Sequence, residues 1–179
     1  MTTMAAPPTD HHARQAEDER AFGFWIYLMT DALIFALMFA TYVVMVPRTA
    51  GGPGPSDLYN IGNVATETAI LLISSITFGF ATLAMLRGKD KQLLLWLAIT
   101  FVLGAAFLFL ENREFSAMIA LGAGPDRSGF LSSFFTLVGT HGAHVATGLL
   151  WIVILSVQVV TKGLSPMVIS RLLRLALFW

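Results

Sequence analysis

The chain has 179 residues, 56% of them hydrophobic and only 12% charged, with zero net charge. A soluble domain carries about 25% charged residues, and a neutral balance leaves no basic footprint for nucleic acid. With no cysteine in the sequence, disulfides, thiolate zinc sites, iron–sulfur clusters and cysteine-ligated copper centres are all excluded from this chain.

The apolar residues fall in long runs, which a bilayer demands because each spanning helix needs ~20 mostly apolar residues. They predict an all-α fold, a polytopic bundle of five transmembrane helices. Residues 1–21 are polar and of mixed charge, with Pro7 and Pro8, and are expected to form a flexible tail. The first span covers 22–46, too long for a signal-peptide core of ~7–15 residues and led by an acidic rather than a basic segment. Pro47 and the Gly/Pro-rich loop RTAGGPGPSD end it. A second span, 67–86, turns through RGKDK into a third, 93–115. LGAGPDRSG then separates a fourth span, 130–160, from the third, and TKGLSP separates the fourth from a fifth apolar segment, 167–179. That last segment, at ~12 residues, is too short to cross a bilayer and is expected to be an incomplete span.

Lysine and arginine in the connecting segments set orientation. With the N-terminus cytoplasmic, Arg14, Arg20, Arg87, Lys89, Lys91, Lys162, Arg171 and Arg174 fall inside, and Arg48, Arg113 and Arg127 outside. The inside-positive bias predicts this orientation. Small residues at four-residue spacing let helices approach closely in lipid. Ala32, Ala36 and Ala40, then Ser75 and Gly79, then Gly139 with Ala143 and His144 with Gly148, are expected to face neighbouring helices.

Ionisable residues within spans are costly and mark functional positions. Asp31 lies ~13 Å along the first span at 1.5 Å per residue, near mid-membrane. It suits a proton-handling or lipid-headgroup site, or a structural hydrogen bond to a neighbouring helix. Glu67 opens the second span, and Glu111 and Glu114 end the third on the same, outer side, with Arg113 among them. A hydrogen-bonded ion cluster at the outer boundary is the economical reading, with proton exit the alternative. His141 and His144, three residues apart, share one face of the fourth span. Counting along the helices places them near mid-membrane and the glutamates near the outer edge, so no further metal ligands are expected at the histidine level except Asp31. No metal site is expected. A haem with two histidine ligands and a three-histidine copper would need five well-placed histidines, and the chain has four, two of them in the tail.

The segment GPDRSGFLSSFFTLVGTHGAHVATGLLW resembles subunit III of the haem–copper oxidases, whose fourth-span hallmark is a Thr-x-His-Gly-x-His-Val run. Here it reads Thr140-His141-Gly142-Ala143-His144-Val145, with the threonine abutting the first histidine. TDALIF, with Asp31, resembles the family helix that carries a buried carboxylate. ETAILLISSIT and LGAAFLFLENREF resemble the next two, with Glu114 at the family's acidic position. The resemblance covers roughly residues 22–179. The absence of two leading helices, the GPDRSGFLS loop and the LALFW ending resemble the cytochrome o ubiquinol oxidase branch. Asn112-Arg113 departs from the family, placing a cation between the glutamates.

The resemblance implies an accessory, non-redox subunit of a complex that oxidises ubiquinol, reduces dioxygen to water and translocates protons across the bacterial inner membrane. It implies no cofactor in this chain, haem and copper in a catalytic partner subunit, and lipids and further oxidase subunits as neighbours. Roles in assembly, stability, lipid holding and proton uptake follow. The alternative is a small proton-coupled transporter using Asp31, His141 and His144.

Overall fold

A computed structural model describes residues 8–54 and 61–179. Those residues contain five helices: α1 (Pro8–Met45), α2 (Ile61–Leu86), α3 (Asp90–Ala120), α4 (Gly129–Lys162) and α5 (Pro166–Phe178). Segments of the first four, Asp18–Met45, Ile61–Leu86, Asp90–Ala120 and Gly129–Lys162, are long and apolar enough to cross a membrane. The all-α, polytopic architecture is the one expected. α5 has 13 residues and, as the sequence indicated, is shorter than a span.

The helices overrun the apolar spans. Residues 8–21, expected to be an irregular tail, are helical. Ala, Arg, Gln and Glu in ARQAEDERA are strong helix formers, and Pro8 stands in the first turn, where its missing N–H leaves no bond unmade. Residues 1–7 lie outside the described residues. α2 starts at Ile61 rather than Glu67, and α3 runs on to Ala120 rather than stopping at Phe115, because polarity marks where lipid ends, not where a helix ends.

The stops have local causes. Pro47 halts α1. Beyond α2, Gly88 has φ of 65°, the Lys89 N–H donates to the Ala84 carbonyl at 3.1 Å, and the Gly88 N–H donates to Met85 at 3.0 Å. This is a Schellman cap, and the left-handed position favours glycine. Gly122 repeats the arrangement after α3, with the Ala123 N–H donating to Met118 at 2.9 Å. At the start of α4, the Ser128 side chain accepts from the Leu131 N–H at 3.2 Å, an N-cap. Pro166 opens α5.

The chain divides into two units, Met1–Leu37 and Met38–Trp179. The first comprises most of α1 and carries Asp31, inside the candidate span Asp18–Met45. In the second unit, the short connections 87–89 and 121–128 make α2, α3 and α4 sequential neighbours. Ser74, Thr77, Phe78, Ala81, Ala84 and Met85 are the buried face of α2. The hydroxyls of Thr77 and Thr100, both buried, meet at 2.8 Å and tie α2 to α3. Ser75 and Gly79 lie off this contact: within this chain both are exposed, and nothing stands within 4 Å of where a Gly79 Cβ would lie. Ala143 is likewise exposed, so the Gly139 and Ala143 pairing is not a buried stripe.

α5 packs on α4 and α2 through Val168, Leu172, Leu175 and Phe178, spaced three or four apart. Arg171 donates to the Gln158 side-chain carbonyl at 2.7 Å. The aromatic end of α5 closes the bundle. Trp179 lies between two glycines of facing helices: a Cβ on Gly104 of α3 would stand 2.8 Å from its Cη2, and one on Gly148 of α4 would stand 2.9 Å from its Cε3 and Cζ3. Its indole N–H donates to Ser74 Oγ of α2 at 3.1 Å. One side chain therefore joins three helices.

Candidate functional site

Three carboxylates converge where α2, α3 and α4 meet the end of α1. Glu67, Glu111 and Glu114 line a cavity of about 560 Å³ whose walls are otherwise apolar, among them Tyr42, Phe115, Phe134 and Leu137. Glu111 and Glu114 are three residues apart, on one face of α3. Glu111 is only 6% exposed. One oxygen of Glu111, Oε1, and one of Glu67, also Oε1, are fully buried and have no hydrogen-bond partner among the described residues.

Gly142 of α4 makes room for Glu111. A Cβ at Gly142 would stand 2.7 Å from Glu111 Oε2 and 3.0 Å from Oε1, so the carboxylate rests directly on the backbone of α4. This overturns the expected layering, which put the glutamates at the outer edge and the histidines at mid-membrane. The reason is the extension of α3 to Ala120: Glu111 lies roughly two and a half turns inside that end, at the level of Gly142 and its neighbour His141. Phe107, one turn before Glu111, meets the His141 ring edge-on at 5.4 Å.

The expected ion cluster takes a different form. Arg113 is exposed, since two residues along a helix turn a side chain away from the Glu111 face. No ion pair joins it to Glu67, Glu111 or Glu114 among the described residues. Instead it lines a second, smaller cavity of about 300 Å³ that shares Glu67 and Glu114 with the first.

The motif residues of α4 do separate jobs. Gly142 gives Glu111 its seat. His144 stacks on the Phe178 ring at 4.0 Å, and its Nε2 donates to the Phe178 carbonyl at 3.2 Å, pinning the end of α5. Thr140 and His141 are half-buried. Among the described residues no three His, Cys, Asp or Glu side chains are disposed to hold a metal. With one histidine against Phe107 and the other bonded to a backbone carbonyl, the donor set does not suit a haem–copper centre. Asp31 belongs to the other unit, Met1–Leu37.

The sequence pattern singled out neither Gly104 nor Ser74, and Trp179 only as the end of LALFW, although Gly148 was flagged by its spacing. A glycine facing a glycine across two helices is visible only when an aromatic ring is seen to fill the gap.

Comparison with known proteins places these features in context. The family model for cytochrome c oxidase subunit III matches residues 3–167. The chain is 52% identical to cytochrome bo(3) ubiquinol oxidase subunit 3 of Pseudomonas aeruginosa over 95% of its length and 82% of the relative's. It is 53% identical to the protein of the same name from Pseudomonas putida, over 88% of this chain and 76% of that one. Quinol oxidase subunit 3 of Bacillus subtilis is 41% identical over 88% of this chain and 77% of its own length.

Proposed function

Because the chain belongs to the cytochrome c oxidase subunit III family, we propose that it is the accessory, non-redox subunit of a proton-translocating ubiquinol oxidase in the bacterial inner membrane. The observation that carries this reading is the high identity, over nearly the whole chain, to proteins named as subunit 3 of ubiquinol oxidases. In this reading a catalytic partner subunit holds the haem and copper, oxidises ubiquinol and reduces dioxygen to water. This chain packs against that partner and the other oxidase subunits, holds lipid between helices, and supports assembly and stability. A part in proton uptake would fall to Asp31, since a carboxylate at mid-membrane must be neutral, paired or beside a polar cavity.

The Lys and Arg distribution supports an N-terminus in the cytoplasm. The turn Arg87–Lys91 then lies inside, and the loop around Gly52 outside. The transporter alternative is less well supported, because His144 is engaged with Phe178 and His141 with Phe107 rather than lining a shared polar path.

Affinity purification of the tagged chain in mild detergent, with mass spectrometry of what accompanies it, tests the proposal. A stoichiometric larger membrane subunit of the haem–copper type is expected. A homo-oligomer of this chain alone would contradict it.

A further inference from the structure

A carboxylate taken out of water keeps its charge only where donors or a cation meet it, and otherwise takes up a proton. Glu111 is 6% exposed, lines the larger cavity, and has no donor to Oε1 among the described residues. We propose that Glu111 holds an exchangeable proton and trades it, by way of Glu67 and Glu114, with the side of the membrane on which the loop around Gly52 lies. That side is the periplasm in the orientation proposed above. The site is separate from Asp31, which belongs to the other unit, and it does not depend on which complex the subunit joins.

Three observations carry the inference. No cation reaches Glu111 from any helix packed against it. On α3 itself, Arg113 is exposed and turned off the Glu111 face. α4 presents the backbone at Gly142, where a Cβ would stand 2.7 Å from Oε2, and the neighbouring His141 ring is held edge-on against Phe107. α2 brings a second carboxylate, Glu67, and the end of α1 a phenol, Tyr42. No three acidic or histidine side chains are disposed to hold a metal among the described residues.

The second observation is that Glu67 Oε1, in the same cavity, also lacks a donor. Two ionised carboxylates offer acceptors only, whereas a protonated Glu111 supplies an O–H. One proton between the two groups, passed directly or through water in the cavity, answers both vacancies. The third is a way out. Burial falls from Glu111, which is buried, to Glu67 and Glu114, which are half-buried. Those two also line the smaller cavity, where Asn63, Thr66 and the exposed Arg113 make the wall polar.

The test uses the complex purified through this chain and reconstituted in vesicles, with a cysteine at position 52 labelled to read orientation. Infrared difference spectra are taken as the pH on the Gly52 side is raised from neutral to alkaline. A carboxylic acid C=O band, sensitive to deuterium oxide, should be present at neutral pH, where an ordinary glutamate is ionised, and should be lost on raising the pH. Glu111→Gln should abolish this band. Glu111→Asp should shift it without abolishing it, which separates loss of the acid from loss of the fold. Glu67→Gln should keep the band and slow its deuterium exchange about 100-fold, the lower end for a positioned proton-transfer group.

Native and Glu111→Gln spectra that differ only in carboxylate bands would show an ionised Glu111 met by a cation, and would overturn the proposal. A band that follows pH on the side opposite Gly52 would overturn the path. Unchanged exchange in Glu67→Gln would overturn the part given to Glu67.

Discussion

Replacing Gly148 by alanine sets two effects against each other. Helix propensity favours alanine by ~0.8–1.0 kcal/mol. Sterics oppose it: the new Cβ would stand 2.9 Å from two atoms of the Trp179 ring and 3.3 Å from Phe178 Cε1, where carbon atoms rest at ~3.5–4.0 Å. The indole must therefore withdraw by ~0.6–1.1 Å. It has nowhere to go on the α3 side, where even a Cβ on Gly104 would be 2.8 Å from Cη2. Withdrawal stretches the 3.1 Å bond to Ser74 Oγ beyond good hydrogen-bond distance. Overpacking costs ~1–3 kcal/mol and the lost bond ~0.5–1.5 kcal/mol. After the propensity gain, Gly148→Ala should destabilise by about 0.5–3.5 kcal/mol. Gly79→Ala is the control. With nothing within 4 Å of its Cβ, only propensity acts, and the chain should gain up to ~1 kcal/mol. The assay is the loss of helical circular dichroism as sodium dodecyl sulfate is titrated into dodecyl maltoside micelles. The two variants should shift the midpoint in opposite directions. Gly148→Ala matching or exceeding Gly79→Ala in stability would refute the account of Trp179 as the wedge between α3 and α4.

Three further outcomes can be measured. Thr100→Val strands the buried Thr77 hydroxyl and should cost ~1–3 kcal/mol in the same titration, while adding Thr77→Val should recover part of the loss because neither partner is then left unpaired. Asp31→Asn should assemble normally and leave quinol oxidation nearly intact, whereas Asp31→Leu should loosen the subunit by ~1–3 kcal/mol of lost hydrogen bonding; a fully assembled Asp31→Asn complex with strongly reduced proton pumping would instead assign Asp31 to proton transfer. Cysteine placed at Lys89 should resist an impermeant periplasmic thiol reagent while cysteine at Gly52 reacts, and labelling of position 89 from outside would reverse the proposed topology.

The spans were legible because a bilayer imposes a length and an apolar composition that few other constraints produce. Their ends were not, because helix propensity carries α1 back to Pro8 through polar residues, and α3 runs past the polar break Glu111–Glu114 through Ser-Ala-Met-Ile-Ala to Ala120. That error of register had a consequence at the site. Measured from the apolar boundary, Glu111 belonged at the membrane edge; measured from the true end of α3, it sits on Gly142. The residue types at the site were readable, since glutamates, histidines and glycine stand out in apolar runs. Their relations were not: Arg113 separates from the Glu111 face by helical geometry, and Ser74 rather than Ser75 is buried, a one-residue difference that spacing alone does not resolve. The Trp179 wedge depends on contacts between positions 104, 148 and 179, which no local pattern encodes.

The most direct measurement of the central claim is a dithionite-reduced-minus-oxidised spectrum of the material purified through this chain in mild detergent, taken together with its quinol-dependent oxygen uptake. An accessory oxidase subunit predicts stoichiometric haem and oxygen uptake in the assembly, with the haem lost when the chain is separated from its partners. A colourless preparation that consumes no oxygen, with the chain fully folded and in its native assembly, would contradict it.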